Sequence, residues 1–463
     1  MRRSHATWIL GLALAALLAR PCAAGSGPFT TPAWALNAAV YEANLEMIPH
    51  APGRAFDALR ERLPALKALG IGIVWLMPIY PRGREKSIHS PYCVRDYEGF
   101  YPDYGKAAQF RRLVGAAHAL GLRVILDWVG NHTAWDNPLM RRHPGFYKRN
   151  ARGRVEQAYT WGDVAQLDYS NPALRAWMIR AMEFWVRRFG VDGFRCDCAW
   201  AIPMDFWKEA RAALDRIRPV YLLAESGDAA TSAAFCGDYD WCLLSETPKA
   251  TLTRIARGQA PASAVGDCLE GLGDTLPGFQ PLQFTSNHDE WNNMGTPFQL
   301  FGRDARAFAV LACTLPGKPL VYNGQEIGWN RRFDGRETAW NQPPQPVLDF
   351  SDNTRAAFYR SFYGALLRLY RDDPALWEGS FLRLRSDRDD SIFAYLRVRA
   401  PGRVVVVLNL GRKEVPFSIR DAALDGSYRD LFSGSPVDLD APYRATFAPG
   451  QYQVLVSGGG ERD

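Results

Sequence analysis

The feature that most constrains this 463-residue chain is an alternation. Near-continuous apolar runs of four to seven residues are separated by amphipathic helical stretches. The runs fall at 71–77, 122–128, 191–196, 220–224, 281–284 and 318–322. A strand that is apolar on successive residues must be covered on both faces, so this pattern predicts a parallel sheet enclosed by helices. One of the helices is well marked. Ser170 and Asn171 offer a cap, Pro172 suits the first turn, and Gly190 closes the helix. Between them Leu174, Trp177, Met178, Ala181, Phe184 and Trp185 recur at helical spacing, as a core-facing stripe does.

Polar residues collect where the apolar runs end. Asp127, Asp197, Glu225 and Asp289 all take that place. In an α/β barrel the carboxyl ends of the strands carry the active site, so four acids at four strand ends point to a catalytic floor. Residues 131–170 are irregular and rich in Asn, Pro, Gly, Trp and Arg, and are expected to form a loop subdomain after the third strand. Beyond about residue 376 the pattern becomes short strands with Gly, Asp and Ser between them, which predicts a separate antiparallel β-sandwich. The expected division is a leader at 1–24, a catalytic barrel at 25–375 and a sandwich at 376–463.

Arg2 and Arg3 precede a short apolar run over 8–19, and Ala23 and Ala24 offer a cleavage point before Gly25. This reads as a secretory signal, with a secreted or periplasmic destination and no membrane attachment after cleavage. The formal charge of +6 falls to +3 once the three leader arginines are set aside, and no basic block occurs. Nucleic acid is therefore not an expected partner. Seven of the eight cysteines follow the leader, an odd number that cannot all pair within the chain. Cys236 and Cys242 are close enough in sequence to pair. Cys196 and Cys198 flank Asp197 and, on a strand, share the face opposite to it, which predicts a structural role. No Cys/His spacing suits zinc.

At this point the sequence resembles the α-amylase family, glycoside hydrolase family 13. Asp127-Trp128-Val129-Gly130-Asn131-His132 is similar to the family's D-x-x-x-N-H segment, and Gly193-Phe194-Arg195-Cys196-Asp197 to G-F-R-x-D. Leu223-Ala224-Glu225 resembles the acid-bearing strand, Phe284 to Asp289 resembles F-x-x-N-H-D, and Tyr92 to Asp96 resembles Y-x-x-x-D. Each string is short, but they occur in the family's order. The resemblance implies a (β/α)8 TIM barrel and retaining cleavage of α-glucosidic bonds in starch- or maltodextrin-type glucans. It implies Asp197 as nucleophile, Glu225 as general acid/base and Asp289 as a third carboxylate favouring the distorted transition state. His132 and His288 are implied as donors to sugar hydroxyls, Tyr92 as a platform beneath the ring, and Arg195 as the group that keeps Asp197 ionised. Asp127 is expected to orient Arg195.

The sequence also departs from the family. Where many calcium-dependent members carry Lys-His after the nucleophile, this chain has Trp200 and Ala201. Trp200 is expected to supply a stacking face or to pack on the barrel rim. Trp135, Trp161 and Trp291 are further candidates for subsite walls, with at least one of them expected in ordinary packing. No cofactor is needed for the chemistry. A structural calcium ion is allowed by the resemblance, with Asn131 and Asp168 as its oxygen ligands. Residues 164–168 match no signature that separates α-1,4 from α-1,6 specificity. The chain is expected to act as a monomer. Two other readings stand beside hydrolysis: a transglycosylase or isomerase using the same covalent intermediate, and a glycan-binding protein without catalysis, which the retained carboxylates disfavour.

Overall fold

The computed structural model describes residues 31–226, 241–244, 247–275, 281–293, 295–331 and 346–457. Eight parallel strands form one sheet. They are β1 (Ala39–Ala43), β2 (Ile71–Leu76), β3 (Arg123–Val129), β7 (Gly193–Asp197), β8 (Tyr221–Ser226), β9 (Trp241–Leu244), β10 (Leu282–Gln283) and β11 (Lys318–Tyr322). Neighbours in the sheet are neighbours in this series, and β11 returns to pair with β1. The two remaining ends, β9 and β10, lie side by side, so the sheet curls round into the expected α/β barrel.

The period of two along each strand divides the barrel into an inside and an outside. Val40, Ile73, Trp75, Ile125, Tyr221, Leu223, Leu282, Phe284 and Leu320 form one cluster within the barrel. Their alternates Tyr41, Val74, Leu126, Phe194, Leu222 and Val321 belong to the larger core that meets the helices. Following the inward residues toward the carboxyl ends, apolar groups give way to charge. Val40 is succeeded by Glu42, Ile125 by Asp127, and Leu223 by Glu225, while Arg195 leads to Asp197. The strands therefore carry a dry plug at one end and the polar floor at the other.

The helix Pro172–Phe189 has the expected ends. The Asn171 side chain accepts from the backbone N–H of Ala173 at 2.9 Å, and Gly190 turns the chain with φ of 74°. The segment after β3 forms its own three-stranded antiparallel sheet from β4 (His132–Ala134), β5 (Gln157–Ala158) and β6 (Trp161–Gln166), in the order β4-β6-β5. Beyond the helices Thr354–Asp372 and Pro374–Trp377, antiparallel strands begin at Ser380 and form a six-stranded and a two-stranded sheet. Among the described residues no helix is long and apolar enough to cross a membrane. The leader at 1–24 and Cys236, the expected partner of Cys242, lie outside the described residues.

Two barrel strands do not appear among the apolar runs of the sequence. β1 has Glu42 in a five-residue span, which breaks its apolar run, whereas β9, Trp-Cys-Leu-Leu, is apolar throughout and as long as the 281–284 run, so its length does not hide it.

Candidate active site

The floor is built around a buried guanidinium. Arg195 pairs in register with Asp127 on the adjacent strand, which brings both side chains to the same inner face. Its Nη1 donates to Asp127 Oδ1 at 3.0 Å and to Asp197 Oδ1 at 2.8 Å. Its Nη2 lies 3.0 Å from Glu225 Oε2, an ion-pair contact that lacks hydrogen-bond alignment. Arg195 and Asp127 are fully buried, while 22% of the Glu225 side chain is open to the cleft, where a ligand could reach it. A carboxylate oxygen of Asp197 and one of Glu225 lie within 4.8 Å of one another.

Burial raises both carboxyls above the ordinary range. At Asp197 this is opposed by the charge and hydrogen bond of Arg195 and by the Cys198 thiol, which donates to it. At Glu225 the Arg195 charge and the Cys198 backbone N–H likewise oppose burial, while the Asp197 and Asp289 carboxylates work with it, as Asp289 does at Asp197. The direct hydrogen bond from Arg195 makes Asp197 the member of the pair held as an anion, and Glu225 the one able to carry a proton.

A second line of contacts orders the imidazole of His288. Its Nδ1 lies 2.5 Å from Glu42 Oε1, and its Nε2 faces the Tyr92 hydroxyl at 3.0 Å and Asp289 Oδ2 at 3.5 Å. The Tyr92 and His288 rings stack with centroids 5.5 Å apart, and the Tyr92 hydroxyl donates to Asp127 Oδ2 at 2.9 Å. Burial disfavours the charged imidazole, but Asp289 and Glu42 outweigh it and push the pKa up to about 9. His132 goes the other way. Burial brings it down to about 4, and its Nδ1 receives the Asn131 amide at 3.2 Å, so the neutral ring carries its proton on Nε2.

Tyr92, His132, Asp197, Glu225, His288 and Asp289 all line one cleft, together with Trp161, Asp163 and Cys198. Arg195 sits beneath it. Trp200 is 42% exposed at the rim, with its ring centroid 5.3 Å from that of Tyr159. Tyr159 in turn meets Trp161 at 5.1 Å, which gives three adjoining exposed aromatics from the β5–β6 hairpin and the turn after β7. Trp135 instead braces this hairpin, its indole N–H donating to the Gly162 carbonyl at 3.0 Å. Trp291 is 2% exposed and packs against Tyr322, so it is core and not a wall.

Two expectations require correction. Cys196 is buried in the outer core, but Cys198 does not share its face. The strand stops at Asp197, and Cys198 takes a left-handed conformation with φ of 45°, which swings its thiol into the cleft. Its backbone N–H donates to Glu225 Oε2 at 2.7 Å. The residues expected to hold calcium do not fit that ion either. The Asn131 side-chain oxygen accepts from the Gln166 amide at 2.8 Å, and Asp168 Oδ1 accepts from the hydroxyl and N–H of Ser170. Calcium requires six to eight oxygens turned toward it. Among the described residues, Asp197, Cys198 and Glu225 are the three ligand-type side chains that converge, and there the cation is Arg195.

Glu42 and Tyr159 are among the site-forming residues that motif reading missed, as are the cleft-lining Asp163 and Cys198. A buried acid within an otherwise apolar strand was the available signal for Glu42, whereas nothing local marked Tyr159.

Comparison with known proteins agrees with this geometry. The family profile "Alpha amylase, catalytic domain" matches residues 55–151. An α-amylase from Haloarcula japonica is 29% identical over 450 residues, covering 93% of this chain, which spans 62% of that relative's length. The crystal structure of a maltogenic α-amylase from Thermotoga neapolitana is 27% identical with a TM-score of 0.81, covering 91% of this chain and 99% of that one. An α-amylase structure from Lactobacillus plantarum is 25% identical with a TM-score of 0.78, at the same coverage. With the motifs assembled on one barrel floor, a catalytic-domain profile matched over residues 55–151 and the likeness extending into the sandwich, the chain is similar to the α-amylase family, glycoside hydrolase family 13.

Proposed function

We propose that this protein is a retaining α-glycosidase acting on starch- or maltodextrin-type α-glucans. The observation that carries the reading is the approach of the Asp197 and Glu225 carboxylates to within 4.8 Å across one guanidinium. Retaining enzymes hold their two carboxyls about 5–5.5 Å apart, whereas inverting ones leave about 6.5–9.5 Å for a water molecule. The Asp197 carboxylate attacks the anomeric carbon as Glu225 gives its proton to the departing glycosidic oxygen. Water then attacks the glycosyl ester, loses a proton to Glu225, and releases Asp197 as a carboxylate. Asp289 and His288 grip hydroxyls of the sugar as its ring flattens, and arginine-held Asp127 keeps the guanidinium in place.

The glucan preference is supported by the names of the relatives, which include α-amylases and a maltogenic α-amylase. It is supported also by the rim of Tyr159, Trp161 and Trp200, flat faces that suit the apolar faces of sugar rings. The N-terminal segment supports a secreted or periplasmic location.

Asp197→Asn and Glu225→Gln are each expected to lower kcat by at least about 10³-fold with the thermal transition retained. Proton NMR of a fresh digest is expected to show the α-anomer first. Full activity in either variant, or β-anomer first, overturns the mechanism. Products from starch, maltoheptaose, pullulan, isomaltose and trehalose will define the linkage and separate hydrolysis from transfer.

A further inference from the structure

The clearest unexplained arrangement lies where the inserted subdomain leaves the barrel. Gln166, on the last position of β6, is nine-tenths buried, and its backbone pairs across from His132. Its side-chain nitrogen lies 2.8 Å from Asn131 Oδ1, 3.0 Å from the Asn131 carbonyl oxygen and 3.3 Å from the Leu167 carbonyl oxygen. Three acceptors around one amide terminus identify that terminus as the nitrogen, because an oxygen there would face only other oxygens. Three converging oxygens, two of them main-chain carbonyls, are the donor set of a hard cation. Here every member is neutral. The carboxylate of Asp168, two residues on, is engaged with Ser170.

We propose that the Gln166 amide takes the place of a structural cation at this junction. Its two N–H bonds, shared among three oxygens, tie the 131–170 subdomain to the end of β3 as a permanent part of the chain. The consequence reaches the cleft. With its oxygen occupied by Gln166, the Asn131 amide turns its nitrogen to His132 Nδ1 at 3.2 Å, and that contact leaves the proton of His132 on Nε2. Gln166 is thus a positioning residue for a cleft-lining imidazole.

The test uses the full chain, with calcium chloride and EDTA as the probes. Wild type is expected to contain no stoichiometric calcium by elemental analysis and to melt within about 1 °C in either additive. Gln166→Leu removes both donors at similar volume, takes the side-chain partner from three buried oxygens, of which the Asn131 carbonyl alone keeps the Leu167 N–H at 3.2 Å, and is expected to lower Tm by roughly 3–8 °C whatever the calcium level. Gln166→Asp supplies a carboxylate to the same oxygens and is expected to lose stability in EDTA and regain it in calcium. Purely structural damage would not produce that rescue. Stoichiometric calcium in wild type, an EDTA-induced fall in its Tm, a Gln166→Leu variant as stable as wild type, or a Gln166→Asp variant that ignores calcium would each overturn the proposal.

Discussion

His288, held between Asp289 and Glu42, shows how buried carboxylates can set the response to pH. The imidazole ordinarily titrates near 6.5 and is pushed up to about 9 in the folded chain. Its contribution to stability is therefore complete below about pH 6.5 and is lost as pH rises through about 9, with a ceiling of roughly 3 kcal/mol. His132, brought down to about 4, acts at the other end: its neutral form stabilises above about 6.5 and that gain is lost as pH falls through about 4. Glu42→Gln is expected to flatten the loss between pH 6.5 and 9 and to lower Tm at pH 6, measured by thermal denaturation across pH. A wild-type Tm that does not fall over that interval would contradict this reading. At this scale the sequence was legible where chemistry is concentrated in short strings. Asp197, Glu225, Asp289, His132 and His288 could be named from their motifs and meet in one cleft. Glu42 could not, because its partner is 246 residues away and only barrel closure joins them. The left-handed turn that redirects Cys198 has no signature in its residue type, since nothing about cysteine favours that conformation.

Among the elements, β7 carries the most constraint, because it delivers both Arg195 and Asp197. It begins at Gly193, where a β-carbon would stand 1.8 Å from the Tyr221 carbonyl oxygen on β8. Neither partner is a flexible side chain, so the two strands cannot keep their register around a larger residue. Gly193→Ala is expected to destabilise by at least about 3 kcal/mol, seen as a large fall in Tm or as insoluble protein. A soluble variant melting with wild type would refute the close approach as a constraint. Six of the eight barrel strands were readable as apolar runs because both of their faces are covered. Of the other two, β1 was hidden by an inward acid, while β9 carries a short apolar run that was legible but not singled out. The β5–β6 hairpin belongs to neither case. Its form depends on antiparallel pairing with β4 and on the indole of Trp135 at Gly162, contacts that a local pattern does not encode.

For the whole molecule, barrel and sandwich share a core. Phe393, Tyr395, Val404, Val406 and Leu408 of the sandwich lie in the same buried cluster as Leu366 and Leu376 of the terminal helices. Buried Arg397 reaches across, donating to the carbonyls of Thr314 and Leu376 at 2.9 Å each and of Gly379 at 3.1 Å. The sequence showed where the strand pattern changes, but not that the two parts are joined in this way. Calorimetry is expected to give one cooperative transition, with Arg397→Ala costing about 3–5 kcal/mol through the carbonyls it leaves unpaired. Two separated transitions would mean that the parts melt independently. The charge of the molecule is also unevenly placed. The chain is formally positive, yet among the described residues the cleft is lined by four carboxyl groups, Asp163, Asp197, Glu225 and Asp289, against one basic side chain, His288. A sugar bearing a carboxylate or a phosphate would bring its own negative charge into a mouth that already carries an excess of it. On the proposed function, the same acidic floor is then expected to favour neutral glucans over uronates and sugar phosphates, which competition assays with glucuronides and glucose 1-phosphate would check.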